Sequence, residues 1–172
     1  MAWQFDPMHS RVGWTARHYG ISLVHGHFKQ IDAALQLDGD DPARWGFEAT
    51  IHATSVDSAC EPRDHHLRTA DFFDVESFPT IHFKSKRVER QGDGYRLIGD
   101  LSFRGVTHEI AVDGQFGGES RDREGNPRRG FHGETTVDMK DFNIPGSPSV
   151  ANNVKLTIDA EAIDRQSAPA PH

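Results

Sequence analysis

One short segment of the chain concentrates side chains that could carry chemistry. The sequence RDHHLRTADFFDV, residues 63–75, begins with an arginine, an aspartate and two adjacent histidines, and continues to Leu67, Phe72 and Phe73. Arginine, aspartate and histidine together are typical of a catalytic or metal-binding cluster. Leucine and phenylalanine are instead typical of a hydrophobic cap. The two interpretations predict different proteins, and the elements around the segment decide between them.

Two further histidines, His25 and His27, flank a glycine in the sequence VHGHF. Alternate residues of a β-strand point to the same face, so the two imidazoles share a face, as pairs of histidines do in some zinc enzymes. With His65 and His66 they support one alternative, a metal-dependent enzyme. No third ligand is evident, and both residues are offset from the apolar register of their strand, which favours exposure to solvent.

A second candidate for chemistry is the group Asp6, His9 and Ser10, which resembles a charge-relayed hydroxyl. Three neighbours in sequence rarely point at one another, and no glycine-framed nucleophile motif occurs in the chain, so a hydrolase is disfavoured. The single cysteine, Cys60, excludes an intramolecular disulfide and a thiolate cluster. We therefore predict that the chain has no catalytic residues and binds no metal.

Composition excludes further classes. The chain has 172 residues, the size of one domain, and a net charge of −7 with scattered Lys and Arg, so nucleic acid is not an expected partner. Its start, MAWQFDPMHSRVGW, lacks the basic beginning and the apolar run of about 7–15 residues of a secretory signal. No run of about 18 apolar residues predicts a transmembrane segment. The expected location is cytoplasmic.

Apolar residues alternate with polar ones over segment after segment, which predicts strands with one face in water. Strands of an antiparallel sheet show this alternation, whereas strands covered on both faces read as continuous apolar runs. The clearest segments are 31–37, 47–53, 81–83, 95–103, 110–116 and 154–160, and further strands are expected around 11–16, 21–28 and 130–139. Short connections such as QGDG and RGVTH have the length of hairpin turns.

Three segments depart from this alternation. Residues 62–75 offer the only room for a helix, since Pro62 suits a first helical turn and Asp64 favours the positive end of the helix dipole. The polar, glycine-rich stretch 117–130 is expected to be a mobile loop. The tail 165–172 lacks an apolar pattern and is expected to be disordered, which leaves residues 1–164 as the folded domain.

The predicted fold class is all-β, a single closed antiparallel barrel of about eight strands with a short helical insertion near residues 62–75. A barrel of this size has an interior that side chains fill or that holds one slim ligand. A two-sheet sandwich is the alternative, and an inserted helix fits the end of a barrel better than the edge of a sandwich.

The sequence also resembles the YceI-like family of lipid-binding proteins. The resemblance covers Trp3 to Ile163 and rests on the runs FDPMHSRVGWTARHYGISLVHGHF, RDHHLRTADFFDVESFPTIHFKS, GDLSFRGVTHEI, RRGFHGETTVDMKDFNI and NNVKLTIDAEA. One position departs from the family pattern: Asn143 follows DF where the family usually has glycine, and asparagine also tolerates the left-handed backbone. The matching positions are Asp6, His9, Ser10, His18, Gly20, Gly26, Phe28, Arg63, Asp64, His66, Leu67, Asp71, Phe72, Phe73, Asp74, Pro79, Gly99, Asp100, Leu101, Arg104, Gly105, Gly130, Phe131, Asp141 and Phe142.

The resemblance implies an extended lipocalin-like barrel that holds a polyisoprenoid, an isoprenoid quinone or a similar long-chain amphiphile without a chemical step. The expected partner is therefore an amphiphilic small molecule, with no cofactor other than the bound lipid, and a homodimer is a further expectation. Besides the metal-dependent enzyme, the remaining alternative is a stress-related interaction module without a ligand, which an interior filled by side chains would favour. The expected ligand-binding residues are His18, Phe28, Phe47, Arg63, His66, Leu67, Phe72, Phe73, Phe83, Phe103, Phe131 and Phe142.

Overall fold

Ten antiparallel strands and one α-helix make up the fold in a computed structural model that describes residues 2–165. The strands are β1 (Trp3–His18), β2 (Ser22–Phe28), β3 (Ile31–Gln36), β4 (Gly46–His52), β5 (Val56–Asp57), β6 (Thr80–Gln91), β7 (Gly94–Phe103), β8 (Val106–Arg121), β9 (Pro127–Asp138) and β10 (Asn153–Asp164). The helix α1 is Glu61–Arg68, and short 3-10 helices lie at Pro42–Arg44, Ala53–Ser55 and Met139–Phe142. The predicted all-β class with a short helix is confirmed.

All ten strands belong to one curled sheet with the order β3-β4-β6-β7-β8-β9-β10-β1-β2-β5. The prediction of about eight strands was too low, and the predicted closure is not confirmed, because the hydrogen-bonded order of the described strands ends at β3 and at β5. The strand β5 has only two residues, too few for any alternation to show in the sequence. The result is a half-barrel rather than a barrel closed by backbone hydrogen bonds.

The two ends of the sheet meet where the chain passes from β2 to β3. The amide of Lys29 donates to the carbonyl of Ser55 at 3.1 Å, and the amide of Gln30 donates to the Ser55 hydroxyl at 3.0 Å. On the other side, the amide of His52 donates to the Gln30 carbonyl at 3.0 Å. Because β3 also lies close to β1, the seam is held by the covalent crossing, by these few hydrogen bonds and by the packing of β3 beside β1, without a continuous ladder between β3 and β5.

The long polar stretch 117–130 is mostly strand, so the prediction of a mobile loop was wrong for most of it. Strand β8 continues to Arg121 and β9 begins at Pro127, and their pairing shifts register between Phe116 and Gly118. The sequence did not indicate these strands because Glu119 to Arg121 of β8 are exposed and polar, and because a buried position of β9 is occupied by Arg129, so no apolar alternation appears. The disordered tail predicted for residues 165–172 lies outside the described residues apart from Arg165.

The helix is shorter than the predicted segment 62–75. It ends at Arg68, where Thr69 adopts an extended backbone and donates through its hydroxyl to the carbonyl of His66 at 2.7 Å. Turns follow as far as residue 77. With eight residues, α1 does not have the length to cross a bilayer, and no other helix of residues 2–165 does.

A buried guanidinium group closes one end of the half-barrel. Arg129 of β9 is only 1% exposed, and its guanidinium carbon lies 4.5 Å from the centre of the Trp3 ring and 4.9 Å from that of Trp45. Both tryptophans are buried in a small core cluster of their own. A cation stacked on two desolvated aromatic faces is strongly attracted to both rings.

The remaining donors of this guanidinium tie β9 to the segment that follows β3. Its Nη1 atom donates to the carbonyls of Leu37 and Gly39, each at 2.9 Å. Its Nη2 and Nε atoms donate to Asp40 and Glu119, also at 2.9 Å. Since β3 is one end of the sheet, Arg129 fastens that end across the interior.

Replacing Arg129 by alanine is expected to lower the free energy of unfolding by about 3–5 kcal/mol, because buried carbonyls lose their donor and two indole rings lose the group between them. Urea denaturation followed by circular dichroism measures this change. The matched control is Arg96→Ala, which removes an exposed arginine whose ion pair with Asp113 is 3.6 Å long. The control should lose less than about 1 kcal/mol, and a similarly small loss for Arg129→Ala would show that the contact is dispensable.

A second buried ion network joins the start of β1 to β9 and β10. The Nη1 atom of Arg128 donates to Asp6 at 2.7 Å and to Glu161 at 2.9 Å, and His9 contacts the Asp6 carboxylate at 2.8 Å. Burial alone would raise the pKa of Asp6, but the hydrogen bonds from Arg128, His9 and the Met8 amide outweigh it and lower the pKa from 3.8 to about 2. Asp6 is therefore a stabilising anion in the folded chain.

The sign of this shift predicts acid sensitivity. Because the pKa of Asp6 is lower in the folded than in the unfolded chain, its contribution of about 2 kcal/mol is present above pH 4 and is lost as the pH falls toward 2. Asp57, Asp122 and Glu134 also have lowered pKa values, so the informative quantity is the difference in unfolding free energy between the wild type and Asp6→Asn. Urea titrations should show this difference shrinking from pH 4 to pH 2, and a constant difference would contradict the assignment.

Candidate functional site

The concave side of the sheet encloses two adjoining cavities. One, which we call the narrow chamber, has a volume of about 210 Å³ and lies among the inward side chains of β3, β4 and β6 to β10. The other, the wide chamber, has a volume of about 390 Å³ and lies between β1, β2, α1 and residues 137–150. Val12, Ile51, Leu101 and Leu156 line both chambers, so the two form one continuous apolar interior.

Aromatic rings pack around the closed end of the narrow chamber. Trp45 contacts Phe116 and Phe131 edge to face, at centroid distances of 5.1 and 5.7 Å, and Phe47 contacts Phe131 at 5.6 Å. Such edge-to-face pairs fix the orientation of each ring. Because the guanidinium of Arg129 lies 4.9 Å from the centre of the Trp45 ring, this aromatic cluster is continuous with the buried cation.

A glycine makes room for a further ring of the narrow chamber. Phe83 of β6 lies against Gly99 of β7, where a Cβ atom would come within 2.5 Å of the ring. The same relation recurs in the wide chamber, since a Cβ atom at Gly26 would lie 2.1 Å from the indole of Trp14. The two glycines therefore allow aromatic rings to lie flat on the sheet.

The helix α1 covers the wide chamber and is anchored through Ser58. The carboxylate of Asp64, which is 4% exposed, accepts hydrogen bonds from the Ser58 amide at 2.9 Å and the Ser58 hydroxyl at 2.6 Å. Arg63 donates through Nε to the Ser58 hydroxyl and through Nη2 to the Ser58 carbonyl, both at 2.7 Å. These bonds orient the helix with Arg63 and His66 on the chamber side.

The turns after the helix are held by the hairpin between β7 and β8. Arg104 has a left-handed backbone, and its Nη1 atom donates to the carbonyls of Ala70 and Phe72 at 2.6 and 2.8 Å. Arg104 forms no ion pair with the nearby Asp100, which contacts Lys86 at 3.1 Å. Arg104 therefore anchors the turns that carry Phe72 and Phe73.

The aromatic residues of this segment lie at the floor of the wide chamber. Phe73 packs against Phe28 and Phe103, with centroids 5.7 and 5.5 Å apart, and Phe103 packs against Phe142 at 5.9 Å. Asn143 after Phe142 has the left-handed backbone expected of it, with φ 54°. The turn therefore keeps its geometry with asparagine in place of glycine.

The polar side chains of the wide chamber are all basic or neutral. Arg17, His18, Arg63 and His66 contribute to its lining, and no aspartate or glutamate does. His66 contacts Asp71 at 2.8 Å, and the Arg17 side chain has no hydrogen-bond partner among residues 2–165. An acceptor-rich or anionic group is the chemistry that such an edge attracts.

Each of the twelve expected ligand-binding residues lines one of the two chambers. Three of them line the narrow chamber: Phe47, Phe83 and Phe131. The other nine line the wide chamber: His18, Phe28, Arg63, His66, Leu67, Phe72, Phe73, Phe103 and Phe142. Contact of these residues with a ligand stays a prediction.

Several lining residues were not expected from the sequence. Trp45 follows a turn outside any alternating segment, and Ile144 and Val150 belong to an irregular stretch, so no pattern identified them. Arg17 is missed because an arginine beside an alternating strand is usually exposed. The sequence could have identified Trp14, since it lies two residues after Val12 and therefore on the same face of β1.

The histidines of the metal alternative lie apart. His25 contacts the Thr15 hydroxyl at 3.2 Å and His27 contacts Arg11 at 3.4 Å. His65 and His66 lie on α1, and His66 contacts Asp71. The geometry of the described residues therefore does not bring these four side chains to one site.

A different group, Asp6, His9 and Glu161, has ligand atoms within 4.8 Å of one another, and it is the single group of this kind among residues 2–165. The Arg128 guanidinium already donates hydrogen bonds to both carboxylates. Nor do Asp6 and His9 form a relay with Ser10, whose hydroxyl donates to the Asp6 carbonyl at 2.6 Å and accepts from the Glu161 amide at 3.0 Å. The arrangement serves structure.

Comparisons with known proteins agree with this geometry. The YceI-like domain family matches residues 3–162. Protein YceI of Escherichia coli is 35% identical over 162 residues, which cover 94% of this chain and 85% of that protein. The fold is similar to that of BcnA from Burkholderia cenocepacia, with a TM-score of 0.81 at 20% identity over 92% of this chain and 99% of that one.

A second solved structure, a polyisoprenoid binding domain from Saccharophagus degradans implicated in plant cell wall breakdown, has a TM-score of 0.67 at 13% identity. It covers 98% of this chain and 99% of that one. The two structural likenesses concern the fold alone, whereas the family match extends over nearly every described element. The chain therefore belongs to the YceI-like family.

Proposed function

We propose that this protein binds a polyisoprenoid or a similar long-chain amphiphile in the two joined chambers, without a chemical step. The observation that carries the proposal is the unfilled interior: two apolar cavities share a wall at Val12, Ile51, Leu101 and Leu156. A pocket of about 390 Å³ lies within the usual range for small-molecule sites, roughly 300–1,000 Å³. A structurally similar protein is described as a polyisoprenoid binding domain, which supports the same ligand class.

The energetics of such a ligand favour binding. Burial of one methylene contributes roughly 0.8 kcal/mol, so one five-carbon isoprene unit contributes on the order of 4 kcal/mol before costs. Ordering of the flexible chain and loss of its free motion offset much of this gain. A few buried units therefore suffice for micromolar to nanomolar affinity, on the order of −8 to −12 kcal/mol.

The direction of the ligand follows from the charges. The narrow chamber is lined at one end by packed aromatic rings, among them Trp45 and Phe116, which suits a tail. The wide chamber has Arg63 and His66 among its lining, which suits a head group with acceptor oxygens such as a phosphate, hydroxyl or quinone carbonyl. A quinone as the specific ligand, a cytoplasmic location and a homodimer remain predictions.

Of the two alternatives, the interaction module without a ligand requires an interior filled by side chains. The chambers are unfilled, which favours a binding protein. The metal-dependent enzyme requires histidines that converge, and His25, His27 and His66 each contact a different neighbour. Neither alternative has a specific observation in its favour.

The main test uses a bulky side chain where the chambers meet. In Val12→Phe the new ring should separate the chambers and weaken binding of a long polyisoprenol at least about tenfold, while geraniol, which fits one chamber, should bind nearly as before. Native mass spectrometry of protein purified from cells should show a solvent-extractable lipid on the wild type and a much smaller bound fraction on the variant. The matched control is Thr15→Phe, since Thr15 lies on the outer face and contacts His25.

Absence of lipid from the wild type, together with no binding of a prenyl probe, would exclude the proposal. Equal loss in Val12→Phe and Thr15→Phe would instead indicate a general effect on folding. Urea denaturation of all three proteins separates these outcomes, because overpacking of a core is expected to cost only about 1–3 kcal/mol.

A second prediction concerns the head group. The double variant Arg63→Gln and His66→Gln should lose at least about tenfold in affinity for a prenyl phosphate, because charge-assisted hydrogen bonds to the phosphate are removed, and should bind squalene as the wild type does. Fluorescence competition with a prenyl probe measures both. The control is Arg68→Gln on the same helix, whose side chain donates to the carbonyls of Thr54 and Val56. Equal affinity of the double variant and the wild type for the phosphate would mean that Arg63 and His66 contact only protein.

A further inference from the structure

The hairpin that joins β1 and β2 ends in an exposed apolar tip. Tyr19, Ile21 and Leu23 are 70%, 85% and 50% exposed, and Met8 is the other large hydrophobic residue exposed in the described part of the chain. Single exposed apolar residues are common on protein surfaces, but a cluster at one projecting tip marks a contact surface. The tip is therefore a place where something else binds.

Turn formation does not explain the apolar side chains. Tyr19 and Gly20 both have a left-handed backbone, with φ 50° and 69°, and the Ile21 amide donates to the His18 carbonyl at 3.1 Å. The connection has three residues, Tyr19 to Ile21, and a turn with two left-handed central positions favours asparagine or glycine at both of them. A bulky side chain at positive φ is uncommon and strained, so Tyr19 is kept at a conformational cost that asparagine would avoid.

The tip is fixed to the wide chamber. The amide of Tyr19 donates to the carbonyl of Ser149 at 2.7 Å, and the amide of Ala151 donates to the carbonyl of Arg17 at 3.0 Å. Arg17 and Ser149 both line the wide chamber, as does Val24 on the strand that follows the tip. A surface that covers the tip therefore lies beside the chamber with the basic lining.

The hairpin lacks the acidic character of the whole chain. Although the net charge is −7, the stretch from Arg11 to Ile31 contains no aspartate or glutamate, and Arg17 is its cation nearest the tip. Lys29 follows the far end of β2 and lies 4.0 Å from Asp57. The segment 143–153, which is hydrogen-bonded to the hairpin, has no charged residue. A negatively charged surface can approach this face without the repulsion that the rest of the chain would impose.

We propose that the β1–β2 hairpin docks on an anionic lipid bilayer, with Tyr19, Ile21 and Leu23 in the interfacial region and Arg17 beside the lipid phosphates. Shallow apolar insertion together with nearby cations is the combination by which proteins bind lipid surfaces. The side chain of Arg17 is free to contact phosphate, since no residue of the described chain accepts a hydrogen bond from it. Docking places the wide chamber next to the membrane. This membrane contact is a separate property from ligand binding and does not depend on which ligand is bound.

The test is cosedimentation of the full-length protein with vesicles. The wild type should bind vesicles of mixed phosphatidylglycerol and phosphatidylcholine, bind pure phosphatidylcholine vesicles much more weakly, and lose binding to the mixed vesicles as salt is raised. The triple variant Tyr19→Asn, Ile21→Ser and Leu23→Thr should lose at least about tenfold in the partition coefficient, since its apolar tip is removed. Asparagine suits the left-handed position and threonine suits a strand, so the fold should be retained.

The matched control is Met8→Ser, which removes an equally exposed apolar side chain far from the tip and should bind vesicles within about twofold of the wild type. Equal binding of the triple variant and the wild type, or no vesicle binding by the wild type, would overturn the proposal. Analytical ultracentrifugation without vesicles tests whether the tip instead binds a second copy of the chain. If the wild type is a dimer, the triple variant is a monomer and neither protein binds vesicles, the tip is a protein interface and the proposal is overturned. The triple variant should bind a prenyl probe as the wild type does, so failure of docking and failure of ligand binding give different results.

Discussion

The interior of this protein depends on a cation held between two indole rings. Because the ten-stranded sheet is not closed by backbone hydrogen bonds, one of its ends must be fastened by side chains, and Arg129 does this from β9. Stacking between Trp3 and Trp45 desolvates the guanidinium, and the carbonyls of Leu37 and Gly39 satisfy its donors. A buried charge is costly unless every donor is paired, so this contact fixes one arrangement of β3 over the interior.

An open sheet fastened in this way can keep a cavity that a tightly packed core would not tolerate. Empty apolar space costs stability, because the lining atoms lose contacts on one side. Here that cost is offset at the ends of the half-barrel: by Arg129 with its tryptophans at one end, and by the bonds of Arg63, Asp64 and Arg104 around the helix at the other. Most of the stabilising contacts thus lie around the chambers, and Arg63 is the one of these residues that also belongs to the lining of the wide chamber.

The alternation of apolar and polar residues was enough to predict the antiparallel strands and most of the chamber lining, since a side chain on the apolar face of a curled sheet must point inward. The alternation could not predict closure, because closure depends on the crossing at Lys29 and Gln30 and on contacts distant in sequence. In the sequence NPRRG, nothing distinguishes Arg128 from Arg129. The burial of Arg129 depends on Trp3 and Trp45, which are distant along the chain. The strands over 117–130 were missed because the end of β8 is exposed and polar, and because a buried position of β9 is occupied by Arg129, so no apolar alternation appears.

The segment RDHHLRTADFFDV covers the wide chamber, and its two halves have different roles. Its first part bonds to protein, since Asp64 and Arg63 are both hydrogen-bonded to Ser58, which makes them anchors of the helix. Its second part is apolar, and Phe73 completes the aromatic wall with Phe28 and Phe103. Arg63 is both an anchor, through its bonds to Ser58, and a part of the chamber lining, so the cover is held in place without a carboxylate in that lining. The basic character of the wide chamber follows, because the Asp64 carboxylate accepts from Ser58, the Asp71 carboxylate contacts His66, and no aspartate or glutamate lines the cavity.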